Sequence, residues 1–159
     1  MAKIRVRARA VDMLGRQQIA GIPTALHELL KNAHDAYADH AEVDYFRSEA
    51  SLLLRDDGIG MTKDEFELRW LTIGTESKLE SAGMSPPYRD PNKPLRSILG
   101  DKGIGRLAIA AIGKQVLVLT RAERNGVMHE LVACFVHWGI FEIPGLDLNE
   151  IEIPVGTWS

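Results

Sequence analysis

Between Thr24 and Ala38 apolar side chains return at helical spacing, with Leu26, Leu29, Leu30, Ala33, Ala36 and Tyr37 on one broad arc behind a Pro23-Thr24 start. An arc this wide must be buried, so the rest of the chain has to supply a surface for it. The surface expected is a sheet. Gln115 to Arg121 and Met128 to His137 read as strands flanking Asn125-Gly126, a dipeptide suited to the tight turn of a hairpin. A second hairpin is expected from Ala41 to Phe46 and Ser51 to Arg55. A shorter helix precedes at Val11 to Ile19. Another runs to about Leu71 behind Thr62 and Glu65, which have capping-box spacing, and a small-residue helix from Arg106 to Ile112 ends at Gly113 as a C-cap. The fold class is therefore α/β: a two-layer sandwich in which a mixed, mostly antiparallel sheet is covered on one face by helices.

Length and composition narrow the field further. One domain is expected over 1–159, and 45% hydrophobic with 26% charged residues places the chain among globular proteins rather than disordered or membrane ones. The net charge of −3 gives no overall basic field for nucleic acid or an anionic membrane. Lys3, Arg5, Arg7 and Arg9 do cluster, and their alternation reads as the solvated face of a strand or arm. Cys134, the single cysteine, lies in an apolar run; it reads as a buried small hydrophobe and fits a reducing compartment. No apolar stretch nears the roughly 18 residues of a spanning helix, and no signal peptide is evident, so the expectation is a cytoplasmic protein with no membrane partner.

Glu28, Asn32 and Asp35 are spaced i, i+4, i+7 and fall on a stripe about 60° wide, bordering the apolar arc, with Lys31, His34 and His27 on the other side. Two acids and an amide in a partly buried place are costly unless they bind a metal, water or polar ligand; the alternative is the polar edge of an ordinary amphipathic helix. Downstream, Asp56-x-Gly58-x-Gly60 follows a strand. It reads equally as a hairpin turn or as a backbone that a ligand can approach closely beside an acceptor carboxylate. A second turn, Gly100-x-x-Gly103-x-Gly105, opens a helix, where free N–H groups and the helix dipole suit a phosphate. Between Gly74 and Leu99 periodicity disappears among Gly, Ser, Pro and charged residues, the composition of a lid or an insertion.

In order, Glu28-Leu-Leu-Lys-Asn32-Ala-His-Asp35-Ala36, Asp56-Asp-Gly58-Ile-Gly60-Met61 and Gly100-Asp-Lys-Gly103-Ile-Gly105 resemble the motifs of the GHKL ATPases, a group named for gyrase, heat-shock chaperone, histidine kinase and MutL. The resemblance extends from about Asp12 to Thr157. Through Trp70 to Lys78 and Leu99 to Arg106 it is to the chaperone-like and microrchidia-like branch. It implies the Bergerat ATP-binding fold, with 74–99 as the ATP lid.

The resemblance also implies roles. Asn32 would ligate Mg2+ on the nucleotide phosphates, Asp56 would accept the adenine amino group, and Ile59 and Met61 would line the base pocket with Gly58 and Gly60. Asp35 would support the pocket from behind. Lys78 would approach the phosphates from the lid, and Gly100, Lys102, Gly103, Ile104 and Gly105 would wrap them, with Arg106 placed to meet phosphate or a partner's acid. Thr157, after Gly156, resembles the threonine that supports the adenine-binding aspartate; in the family this Gly-Thr motif begins a further strand, so the domain is expected to be cut short at its C-terminal end. Glu28 would be the catalytic base, activating water for slow ATP hydrolysis, since the kinase branch has an amide there. The expected readout is lid closure with ATP-dependent homodimerisation, or docking of a DNA or protein client through further domains. The alternatives are a nucleotide-sensing module without turnover and a kinase-type phosphotransferase.

Overall fold

Helix α2 (Ile22–Asp35) begins two residues before the expected start and stops three short of the expected end. Gly21, with φ of 100°, turns the chain into it, and Pro23 occupies the first turn, where a missing N–H breaks no helical bond. Thr24 lies inside the helix instead of capping it, and no side chain caps this end. At the other end Tyr37 takes a left-handed φ of 62°. Its N–H donates to the His34 carbonyl at 3.0 Å and that of Ala38 to the Ala33 carbonyl at 3.0 Å, a Schellman closure built without glycine.

The structure is a computed structural model that describes residues 5–72, 88–100 and 105–159, apart from the side chains of residues 16–18 and 106. Helix α1 (Arg9–Gln18) precedes α2. Strands β1 (Ala41–Phe46) and β2 (Ser51–Asp56) form the first hairpin, in register from Ala41 opposite Asp56 to Phe46 opposite Ser51. Helix α3 (Lys63–Glu65) opens with the expected capping box: the Glu65 N–H donates to Thr62 Oγ1 at 3.3 Å and the Thr62 N–H to Glu65 Oε2 at 2.9 Å. It then widens into a π-helical turn, Phe66–Trp70, where an α-helix was expected. This turn stacks Phe66 on Trp70 with ring centroids 4.9 Å apart. A 3-10 turn (Gly105–Ala108) leads into α4 (Ile109–Ile112), which Gly113 leaves in an extended conformation rather than a left-handed cap.

Strands β3 (Gln115–Arg124) and β4 (Val127–His137) meet at Asn125 and Gly126, whose φ values of 54° and 76° make the turn whose twist matches a hairpin. Strand β5 (Val155–Trp158) pairs with β4. Every described pairing is antiparallel, in two separately bonded sheets, β1-β2 and β3-β4-β5. Helix α1, the π-helical turn and the 3-10 turn lie on one face of the larger sheet: Val116 and Val118 of β3 and Val132, Cys134 and Val136 of β4 pack with Ala8, Val11, Phe66, Leu107 and Phe141. On the opposite face Leu117 and Phe135 stay 61% and 50% exposed, so the sandwich has two layers there. The arc on α2 is narrower than expected, because Ala25, Ala33 and Tyr37 are buried while Leu30 is not.

The basic arm proves to be structural. Arg5 and Arg7 both pair with Asp147, a buried acid, and the Ala8 N–H and Val6 carbonyl bond to Leu146 and Leu148. The arm is thereby tied to the connection between β4 and β5. Cys134 is buried, which pushes its thiol pKa up and suits an inert packing residue.

Candidate functional site

On α2, Glu28 and Asp35 are half-buried while Asn32 is exposed. The long Lys31 side chain reaches back across the helix, contrary to its expected place on the far side, and its Nζ lies 2.9 Å from Glu28 Oε1. That leaves Glu28 Oε2 toward the start of the 3-10 turn. A methyl group added at Gly105 would stand 3.3 Å from this oxygen and 3.6 Å from Asn32 Oδ1, so the backbone at Gly105 lies close beside both side chains. At the other end of the same glycine segment, the Leu99 and Gly100 N–H groups donate to the two oxygens of Asp35 at 2.9 and 2.8 Å. The His34 ring also turns to Asp35, with Nδ1 3.3 Å from Oδ1. The stripe and the second glycine turn thus meet at both ends of the turn. Lys78, Lys102, Gly103 and Ile104, with the Arg106 side chain, lie outside the described residues.

The first glycine turn docks on the C-terminal end of α2. Asp56, at the exposed end of β2, accepts the Gly58 N–H on Oδ1 at 3.0 Å, and its other oxygen takes no hydrogen bond from the described residues. The Ile59 N–H donates to the Ala36 carbonyl at 2.8 Å, and a methyl group at Gly58 would lie only 2.8 Å from that carbonyl oxygen. Gly60, at φ of 60°, packs directly against the Arg121 carbonyl. The Met61 N–H donates to Thr120 Oγ1 at 3.0 Å. Asp57, the second acid of the turn, faces the other way. It accepts the backbone N–H groups of Asp39 and His40 at 2.7 and 2.8 Å and lies 2.9 Å from the His40 ring. The His40 backbone and ring together hold its carboxyl well below the usual range, and Asp57 raises His40 in turn.

The described part of the expected lid, Tyr88 to Leu99, lies against the loop that follows α2. Lys93 and Arg96 each reach Asp39 at 2.7 Å and also donate to the Tyr37 and Ala38 carbonyls, at 2.7 and 2.6 Å. These cations, Lys93 first, depress the Asp39 carboxyl. Arg96 also lies over the Tyr37 ring at 5.6 Å.

Thr157 sits within β5, opposite Val132, so the Gly-Thr dipeptide lies in a strand paired with β4. No hydrogen bond joins it to Asp56 among the described residues. Thr120 lies across the same row, opposite Val132 on the other side, about 10 Å away by strand spacing, and supplies the hydroxyl that reaches the first glycine turn. Thr120, Arg124, Asp39 and Asp57 went unnoticed in the sequence. For the first two a signal exists: Val116, Val118, Thr120, Ala122 and Arg124 are alternate residues of one strand face, and a polar residue continuing an apolar alternation needs a partner inside. Among the described residues no three His, Cys, Asp or Glu side chains cluster to hold a metal by themselves.

An α/β fold in which an acid-amide-acid helix face meets one glycine turn at its middle and a second at its end defines a GHKL-type ATP-binding domain. Residues 21–150 match the family described as histidine kinase-, DNA gyrase B- and HSP90-like ATPase, and the chain belongs to that family. It is 33% identical over 95 residues to the chaperone protein HtpG of Wigglesworthia glossinidia brevipalpis, covering 55% of this chain and 14% of that protein. To HtpG of Mycolicibacterium vanbaalenii it is 27% identical over 169 aligned positions, 92% of this chain and 25% of the relative. A putative type II restriction enzyme, HgiDII of Herpetosiphon aurantiacus, is 30% identical over 115 residues, 72% of this chain and 16% of the relative. The chain therefore spans 14% to 25% of the length of these relatives. No helix among the described residues is long and apolar enough to cross a membrane.

Proposed function

We propose that this domain binds Mg-ATP between α2 and the two glycine turns, and that Glu28 activates water for slow hydrolysis. The observation that carries the reading is the meeting of Gly105 with Glu28 Oε2 and Asn32 Oδ1, because it sets a potential base and a neutral oxygen ligand beside a phosphate-suited turn. With Oε1 engaged by Lys31, Oε2 is the oxygen left to take a proton from water.

The amide oxygen of the exposed Asn32, with no metal-holding cluster of His, Cys, Asp or Glu among the described residues, suits magnesium, which takes one or two protein groups and draws its other ligands from phosphates and water. When bound, the ion supplies charge neutralisation on the phosphates. On the base side, the open oxygen of Asp56 accepts an exocyclic amine, and Ile59 and Met61, both half-buried, supply apolar surface for the base. On the phosphate side, Gly100 to Gly105 wrap the chain of phosphates with Lys78 and Lys102 as cations, while Asp35 positions the turn without touching nucleotide. Occupancy is read out at the Tyr88–Gly100 segment, and through it by pairing of two copies or docking of a DNA or protein client in the intact protein. Thr157 supports the base side only through the sheet.

The Lys31 ion pair favours one second reading, a nucleotide sensor in which Glu28 stays engaged and ATP is held without turnover. Phosphate release and nucleotide binding by wild-type and Glu28→Gln chains separate the two. Hydrolysis predicts binding kept and release reduced about a hundredfold or more. Equal residual rates would favour the sensor, and loss of binding with an intact fold would count against Glu28 as a base.

A further inference from the structure

The inward face of β3 ends in three residues that all bear on the first glycine turn. Thr120 accepts the Met61 N–H, Ala122 is fully buried, and Arg124 closes the row. The Arg124 side chain is only 12% exposed, and both terminal nitrogens of its guanidinium are engaged by the turn and its neighbours. Nη1 donates to the Ile59 carbonyl at 2.6 Å and to the Glu123 carbonyl at 2.9 Å; Nη2 donates to the Gly60 carbonyl at 3.0 Å and to Glu65 Oε2 at 2.6 Å. Its Cζ lies over the Tyr88 ring, 4.2 Å from the centroid.

We propose that Arg124 is a positioning residue for base recognition: its fork fixes the carbonyls of Ile59 and Gly60, and with them the geometry by which Asp56 and Met61 meet the purine, while Tyr88 ties that turn to the segment anchored on Asp35. The inference rests on the nucleotide reading above. A planar, multiply donating group is required because three carbonyls, a carboxylate and a ring must be served at once. A lysine is a point charge and serves fewer of them. Glu65 belongs to the same device, since it balances the guanidinium while capping α3.

The test is the affinity of wild-type, Arg124→Lys and Arg124→Met chains for ATP and for GTP, with thermal denaturation run alongside. Arg124→Lys is the informative variant should Arg124→Met fail to fold, because it keeps the charge beside Glu65 and loses the fork. The expected result is ATP affinity lowered about tenfold in Arg124→Lys with little change for GTP, so that the preference for ATP collapses; tenfold corresponds to the loss of about one hydrogen bond to a charged group. A merely structural role would weaken both nucleotides in parallel. A folded Arg124→Lys protein with an unchanged ratio of the two affinities would overturn the inference and leave the site reading intact. No ATP binding by the wild-type chain would overturn the reading of the site and this inference with it.

Discussion

Gly60 offers a test in which local geometry fixes the magnitude. It sits at φ of 60°, and a methyl group there would collide with the Arg121 carbonyl oxygen, stand 2.6 Å from the carbonyl carbon and lie 3.1 Å from the Ala122 nitrogen. Gly126 has a similar φ of 76°, yet a methyl group on it would meet nothing within 4 Å. The left-handed backbone alone costs alanine about 1–2 kcal/mol, which is the whole expectation for Gly126→Ala. Gly60→Ala carries the same term and also forces the turn away from β3, because neither side of the collision is a side chain that can rotate. Withdrawal weakens the bonds from Arg124 to Ile59 and Gly60, each worth about 1.5–3 kcal/mol as hydrogen bonds from a charged group. The expected cost is therefore about 4 kcal/mol or more for Gly60→Ala, a large part of a typical domain's stability. Urea denaturation followed by circular dichroism measures both variants against wild type. Equal losses at the two glycines would refute the close approach of the first turn to β3.

Two further expectations concern the acids around the site. Asp35→Ala should remove hydrogen-exchange protection from the Leu99 and Gly100 amides while leaving that of the β3–β4 ladder unchanged, because the Asp35 carboxylate is their acceptor. For Glu65, burial raises the carboxyl pKa, but the Thr62 N–H and Arg124 outweigh it and leave the group below its ordinary value. A depressed folded pKa means that the stabilisation is fully present above the unfolded value of about 4.3 and is lost as pH falls through the lower folded value. Thermal denaturation should show Glu65→Gln less stable than wild type at pH 6, with the gap closing below about pH 4. A constant gap across that range would contradict the ion pair.

What could be read in the sequence was what neighbours along the chain decide. Asn125-Gly126 fixes its hairpin because both residues tolerate positive φ, and Thr62 with Glu65 closes a capping box within four residues. The α2 stripe was legible because helical spacing alone aligns Glu28, Asn32 and Asp35. What escaped depends on distant partners. Helix α2 ends where Tyr37 accepts a left-handed conformation, beside a loop on which Lys93 and Arg96 converge, and nothing near Tyr37 in sequence announces that. Arg124 lies 65 and 64 residues from the Ile59 and Gly60 carbonyls it holds, a separation set by the fold rather than by any local rule. Lys31 was assigned to the wrong side because Cα spacing ignores how far a lysine stem can reach. Asp35 was expected to support the pocket from behind, but spacing along α2 could not name its partners, the Leu99 and Gly100 amides that its oxygens hold.

The most direct test of the nucleotide site is calorimetric titration of ATP into wild-type and Asn32→Ala chains, each with magnesium and with chelator. The account predicts that wild type binds ATP more tightly with magnesium, and that Asn32→Ala loses this increment while keeping the weaker, metal-independent affinity contributed by the base side. Wild-type binding that is indifferent to magnesium, or an Asn32→Ala chain that retains the full increment, would contradict the placement of the ion beside Gly105 on the α2 face.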